Sequence, residues 1–171
     1  MSHGRVLEQT SLDASDIAGS LISPVLLGTA VAGTADILAA ITVWTLRDVP
    51  AIRVLQSISS GLLGRDAFSH GASTAWLGLL LHYAIMAVIA LVFVLASRRL
   101  DILIRHPLVA GAAYGLLVFT VMTYVVVPLS ASPLKLPPPL QVLEQMFIHM
   151  VCVGLPISLA AHRFGRQLLA N

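Results

Sequence analysis

The sequence predicts an all-α polytopic membrane protein: a bundle of four transmembrane helices with an interfacial amphipathic segment between the first two. Three observations carry that expectation. Hydrophobic residues make up 57% of the 171 residues and charged residues 11%, less than half of the roughly 25% found in soluble domains. The mean hydropathy is +0.91. Four apolar runs are each long enough to cross a hydrocarbon core of ~30 Å, which takes ~20 helical residues.

Residues 1–22 are polar and include Glu8, Asp13 and Asp16; they are expected to form a cytoplasmic N-terminal segment. No basic stretch leads into a short apolar one, so a cleavable signal peptide is not expected. Residues 23–171 are then the membrane domain. Its first span, residues 24–46, is expected to start at Ser23 and Pro24, a hydroxyl cap followed by a proline where no amide is needed. The second span covers residues 74–96. The third covers 107–127, opened by Pro107 and closed before Pro128. The fourth covers 140–162.

Between the first two spans, Ile52, Leu55, Ile58 and Leu62 recur every three to four residues, with Arg53 and Gln56 off that face. This pattern fits a helix lying in the interface. A re-entrant segment broken at Gly61 and Gly64 fits it too. Five of the nine prolines fall within residues 128–139, which suggests a stiff strap between two antiparallel helices.

Lys and Arg mark the cytoplasmic side of a membrane protein. Arg5, Arg98, Arg99, Arg105, Arg163 and Arg166 would share one side; Arg47, Arg53, Arg65 and Lys135 would share the other. The compact loop with Arg98, Arg99 and Arg105 carries most weight and places both termini in the cytoplasm. The net charge of +2 comes from scattered residues at the ends of apolar runs. It forms no basic stripe of the kind that nucleic acid requires. The expected partner is the lipid bilayer.

Ionisable residues inside spans are rare and costly. Asp36, His82, Glu144 and His149 are the four here. At ~1.5 Å per residue, Asp36 lies roughly 15 Å from the outer end of its span, His82 and His149 roughly 12 Å, and Glu144 roughly 5 Å. Asp36 shares a face with Thr29, Ala32, Gly33 and Ala40, small residues that let helices approach closely. Gln141, Gln145, His149 and Cys152 form a stripe on span four. Pro156 is expected to kink that helix one turn beyond His149 and to free a carbonyl. Gly111 and Gly115 form a G-x-x-x-G pair, read as a close helix contact within the bundle or between protomers.

These polar residues admit three readings. They can form a hydrogen-bond network that fixes helix pairing, as in a structural or accessory subunit. They can support proton- or ion-linked function, for which a homo-oligomer is expected because four spans leave little room for a solute path. They can hold haem or a metal, with His82 and His149 as ligands and Cys152, Met146 or Met150 as soft neighbours. No ligand pair has the spacing of a helical metal site such as H-E-x-x-H, so the metal and cofactor are left open. No G-x-S-x-G, Walker or G-x-G-x-x-G sequence is present, so no enzymatic reaction is indicated.

The stretch from about Trp76 to Arg163 combines a span containing His82, a basic loop, and a third span ending in Pro128 and Leu129. A proline-containing loop and a last span opening with Glu144 and His149 follow. In these features it resembles the YagU-like uncharacterised inner-membrane proteins of bacteria. The resemblance covers about half the chain and leaves the first span unexplained. It implies a multi-pass inner-membrane protein of unknown biochemical activity, with a suggested link to acid tolerance.

The orientation is testable in a Cys152→Ala background. A cysteine at Ser132 should label from outside, and one at Ser97, just before the Arg98–Arg105 loop, only after permeabilisation. The reverse pattern would invert the topology.

Overall fold

A computed structural model describes the backbone of residues 2–135 and 138–169 and the side chains of residues 21–135 and 138–165. Every regular element among them is helical. Four helical stretches are long and apolar enough to cross a membrane: Leu21–Thr45, Gly71–Ser97, Pro107–Leu129 and Pro139–Gly165. The chain is an all-α four-span membrane protein.

Helix α1, Ser2–Thr45, runs unbroken with Pro24 inside it. The expected start at Ser23 and Pro24 is therefore corrected. A proline removes one amide and crowds the carbonyl four residues back. The bonds on either side keep the helix continuous, and membrane helices tolerate such a loss.

Helix α2, Ala51–Leu63, leads through a 3-10 turn, Gly64–Phe68, into α3, Gly71–Ser97, which is span two. A short α4, Ile102–Arg105, precedes α5, Pro107–Val121. Span three continues through a π turn, Met122–Val126, into α6, Val127–Leu129. The expected closure before Pro128 is corrected by two residues, to Leu129. Span four is α7, Pro139–Ile148, a second π turn, His149–Gly154, and α8, Leu155–Leu169. Of the proline-rich strap, residues 136 and 137 lie outside the described residues.

Both π turns have the same cause. The amide of Val127, just before Pro128, bonds to the Met122 carbonyl five residues back. The amide of Leu155, just before Pro156, bonds to Met150, again five back. A proline ring crowds the carbonyl four residues before it, Tyr124 in one case and Cys152 in the other. Widening the preceding turn relieves that crowding without breaking the helix. The distortion expected at Pro156 thus takes the form of a six-residue π turn that begins at His149.

Span four packs against spans one and three, and span one also packs against span two. The core between them holds Ala32, Met86, Ala90, Phe93, Val118, Val153 and Ile157. Spans three and four meet backbone to backbone. A Cβ on Gly115 would stand 2.6 Å from Met150 Cα, and one on Gly154 would stand 2.8 Å from Gly115 Cα. A Cβ on Gly111 would stand 2.9 Å from Leu155 Cα. The G-x-x-x-G pair therefore lies inside the bundle, against the π turn.

Helix α2 turns its polar side inward. Gln56, Ser59 and Ser60 are buried, whereas Ile52, Leu62 and Leu63 are exposed. The Gln56 amide donates to the Gly71 carbonyl, and the Ser60 and Ser132 hydroxyls bond to each other. Gly78 permits the crossing with α3, since a Cβ there would stand 2.8 Å from the Leu55 carbonyl carbon. Outward apolar residues suit a helix whose outer surface meets lipid. On the opposite side of the bundle, Ser97 is buried and bonds to the Val94 carbonyl. The exposed Asp101 is the more accessible labelling position in that loop.

Gly115→Leu is expected to cost more than the ~1–3 kcal/mol of ordinary overpacking, because the obstructing atoms are backbone. Leu117→Ala, at a position 55% exposed, should change stability by only about 0.5 kcal/mol. Thermal unfolding of both variants in detergent checks the contrast.

Candidate functional site

The bundle sorts its polar side chains into those consumed by helix packing and those left uncommitted. His82 belongs to the first group. It is buried, and its Nε2–H donates to the Gly33 carbonyl at 2.8 Å. A carbonyl can only accept, so this contact fixes the tautomer of the neutral ring. One residue on, the Tyr83 hydroxyl bonds to Thr34 Oγ1 at 2.9 Å. Gly33 makes room, since a Cβ there would stand 3.0 Å from Tyr83 Cδ1. Two adjacent bonds thus latch span two to span one near mid-depth.

Three more latches join other pairs. The Tyr114 hydroxyl donates to the Ile89 carbonyl, tying span three to span two. The Ser158 hydroxyl donates to the Pro107 carbonyl, tying span four to span three. His162 Nδ1–H donates to the Ile104 carbonyl in the loop between spans two and three. Sequence reading missed all three, because one-residue signals do not reveal which backbone carbonyl they will meet. Tyr124, by contrast, is half exposed near the end of span three and touches Phe119 edge-on.

Glu144 lies five residues into span four, ~7 Å from its start. It accepts a bond from Arg47 at 2.7 Å, in an ion pair whose side chains are about a third exposed. The Arg47 guanidinium also stands 5.6 Å from the Trp44 ring. The pair joins the end of span one to the beginning of span four. Opposite charges near the same end of two antiparallel spans were the available sequence signal for it.

His149 opens the π turn. Its Nδ1–H donates to the Gln145 carbonyl in its own helix at 2.9 Å. Its ring meets Phe119 of span three edge-on, with centroids 5.5 Å apart. Nε2 is left with a lone pair that no side chain among the described residues engages. His149 is half buried.

Asp36 stands nine residues before Thr45, ~14 Å from that end of span one. It is half buried. Among the described residues it forms no hydrogen bond and no ion pair. Span one packs against the π turn of span four, in which Cys152 lies. Seven residues before it on the same face, the Thr29 hydroxyl is buried without a hydrogen-bond partner among the described residues. Span one therefore carries an uncommitted carboxyl near mid-depth and packs against an irregular turn that holds a free thiol.

Asp36, His82, Glu144 and His149 do not form one network, since no hydrogen bond or ion pair joins any two of them. Among the described residues no three His, Cys, Asp or Glu side chains come together as a metal site would require. No family model, curated protein or solved structure matches the chain.

His82→Ala is expected to destabilise the bundle by ~1–3 kcal/mol, because it empties the site of a buried ring as well as removing the bond to Gly33. Glu144→Gln should cost no more than ~1 kcal/mol, the upper end for an exposed ion pair. The two unfolding midpoints, measured in the same detergent, test this order.

Proposed function

We propose that this membrane protein is proton-linked, with Asp36 as its working group. The observation that carries the reading is a mid-span carboxyl with no hydrogen bond or ion pair among the described residues. An ionised carboxylate within the hydrocarbon region is costly, and a protonated one much less so. The two protonation states therefore place different demands on the facing helix. That helix presents a π turn, an element that recurs at functional sites. Proton binding at Asp36 would bias the turn, and the Cys152 thiol is the neighbouring group that would sense the charge. His149, at the start of the same turn, offers Nε2 as a second proton acceptor. Glu144, held by Arg47, lies nearest the outer mouth. Membership of the YagU-like group belongs to the same proposal, as do a bacterial inner membrane, cytoplasmic termini and a homo-oligomer able to form a solute path.

One set of observations favours a second reading. His82, Tyr83, Tyr114 and Ser158 all serve as latches, as expected of an accessory subunit whose polar residues only fix helix pairing.

Purified protein in vesicles loaded with a pH-sensitive dye separates the two. After an external pH step, vesicles with the wild-type chain should equilibrate faster than protein-free vesicles. Asp36→Asn should return the rate to the protein-free level while leaving thermal stability unchanged. Equal rates for wild type and Asp36→Asn would remove Asp36 from the function and favour the accessory reading.

A further inference from the structure

A cavity of about 310 Å³ opens where span one ends. Trp44 and Val49 wall it on one side, and Val54 of α2 and Phe68 of the 3-10 turn on another. Leu134 of the strap closes it. Ser57 also lines it, but its hydroxyl donates back to the Val54 carbonyl. The lining is thus apolar except for one charge, Arg53.

The Arg53 guanidinium is oriented without being neutralised. One amine donates to the Phe68 carbonyl at 3.0 Å, and the group stands 5.6 Å from the Phe68 ring centroid. A guanidinium has five N–H donors, so most remain available. No carboxylate pairs with Arg53 among the described residues, whereas nearby Arg47 has Glu144. Trp44 lies next to the last residue of α1, the depth at which tryptophan marks the bilayer interface. The exposed Ile52, Leu62 and Leu63 of α2 continue the apolar surface outward.

We propose that this cavity binds an anionic phospholipid of the surrounding bilayer, with an acyl segment in the apolar pocket and the headgroup phosphate on Arg53. An oriented, unpaired guanidinium at headgroup depth binds a phosphate, and it favours a headgroup whose phosphate charge no choline offsets. The volume is at the low end for a ligand site, ~300–1,000 Å³, and suits part of one chain rather than a whole lipid. The inference is independent of the proton-linked reading.

Native mass spectrometry of the full chain, released from detergent, tests it with phosphatidylglycerol and phosphatidylcholine of identical chains. Phosphatidylglycerol should be retained with about fivefold preference, the size expected of one basic residue at an anionic headgroup. Arg53→Gln should abolish the preference. Leu134→Trp, which fills the pocket from the strap, should lower retention of both lipids. Arg65→Gln should leave the preference intact. The proposal is overturned if Arg53→Gln keeps the preference, or if Arg65→Gln loses it equally. It is also overturned if inorganic phosphate displaces the lipid at matched concentration, since that would mark a free-phosphate site. Unchanged unfolding midpoints for the variants show that each outcome reports on the site.

Discussion

Spans three and four approach until their backbones touch, and the placement of His149 and Cys152 follows from that contact. Gly111 and Gly115 lie where any side chain would collide with His149, Met150, Gly154 or Leu155. The surface they meet is a widened turn. Pro156 cannot donate, and its ring crowds the Cys152 carbonyl, so the turn before it opens to the five-residue spacing. Val153 enters the core beside Val118 and Ile157. His149 is carried against Phe119, and the turn holding Cys152 is carried against span one. Close approach suits a membrane bundle, because lipid tails are as apolar as leucine and packing rather than water exclusion holds the helices together.

Hydrogen bonds then set the register between neighbours. Each interhelical bond in a membrane contributes only about 0.6 kcal/mol on average, so the latches act together. His82 and Tyr83 align span two on span one, Tyr114 aligns span three on span two, and Ser158 aligns span four on span three. With these groups occupied, Asp36 and the Thr29 hydroxyl stand out as the mid-bundle groups that the packing leaves unmatched. Latches explain stability, while the uncommitted carboxyl is what the functional reading rests on.

Much of the architecture was legible in the sequence because hydrophobic length is a nearly sufficient signal for a span. All four spans fall close to their expected places. What failed to read correctly were the prolines. Pro24 and Pro128 look like helix boundaries by soluble-protein logic, yet both lie within continuous helices, because a membrane span tolerates lost backbone bonds. The π turns could not be read, since a proline does not by itself require one: Pro24 lies within an unbroken α-helix. The amphipathic pattern of α2 was visible, but which face turns inward was not. Its polar side is buried because Thr74, the Gly71 carbonyl and Ser132 supply partners there. Of the intramembrane ionisable residues, depth could be estimated from spacing. Partnership could not: His82 meets a backbone carbonyl, Glu144 a cation beyond span one, and Asp36 the neighbourhood of a thiol.

The proposed proton linkage requires Asp36 to exchange a proton within the bundle. Infrared difference spectroscopy of the reconstituted protein between acidic and alkaline pH reads this without reference to transport. A carboxylic-acid C=O band should appear at acidic pH, have the position of a carboxyl in an apolar setting, and be absent from Asp36→Asn. Persistence of that band in Asp36→Asn, or no titrating carboxyl band in the wild-type chain, would contradict it.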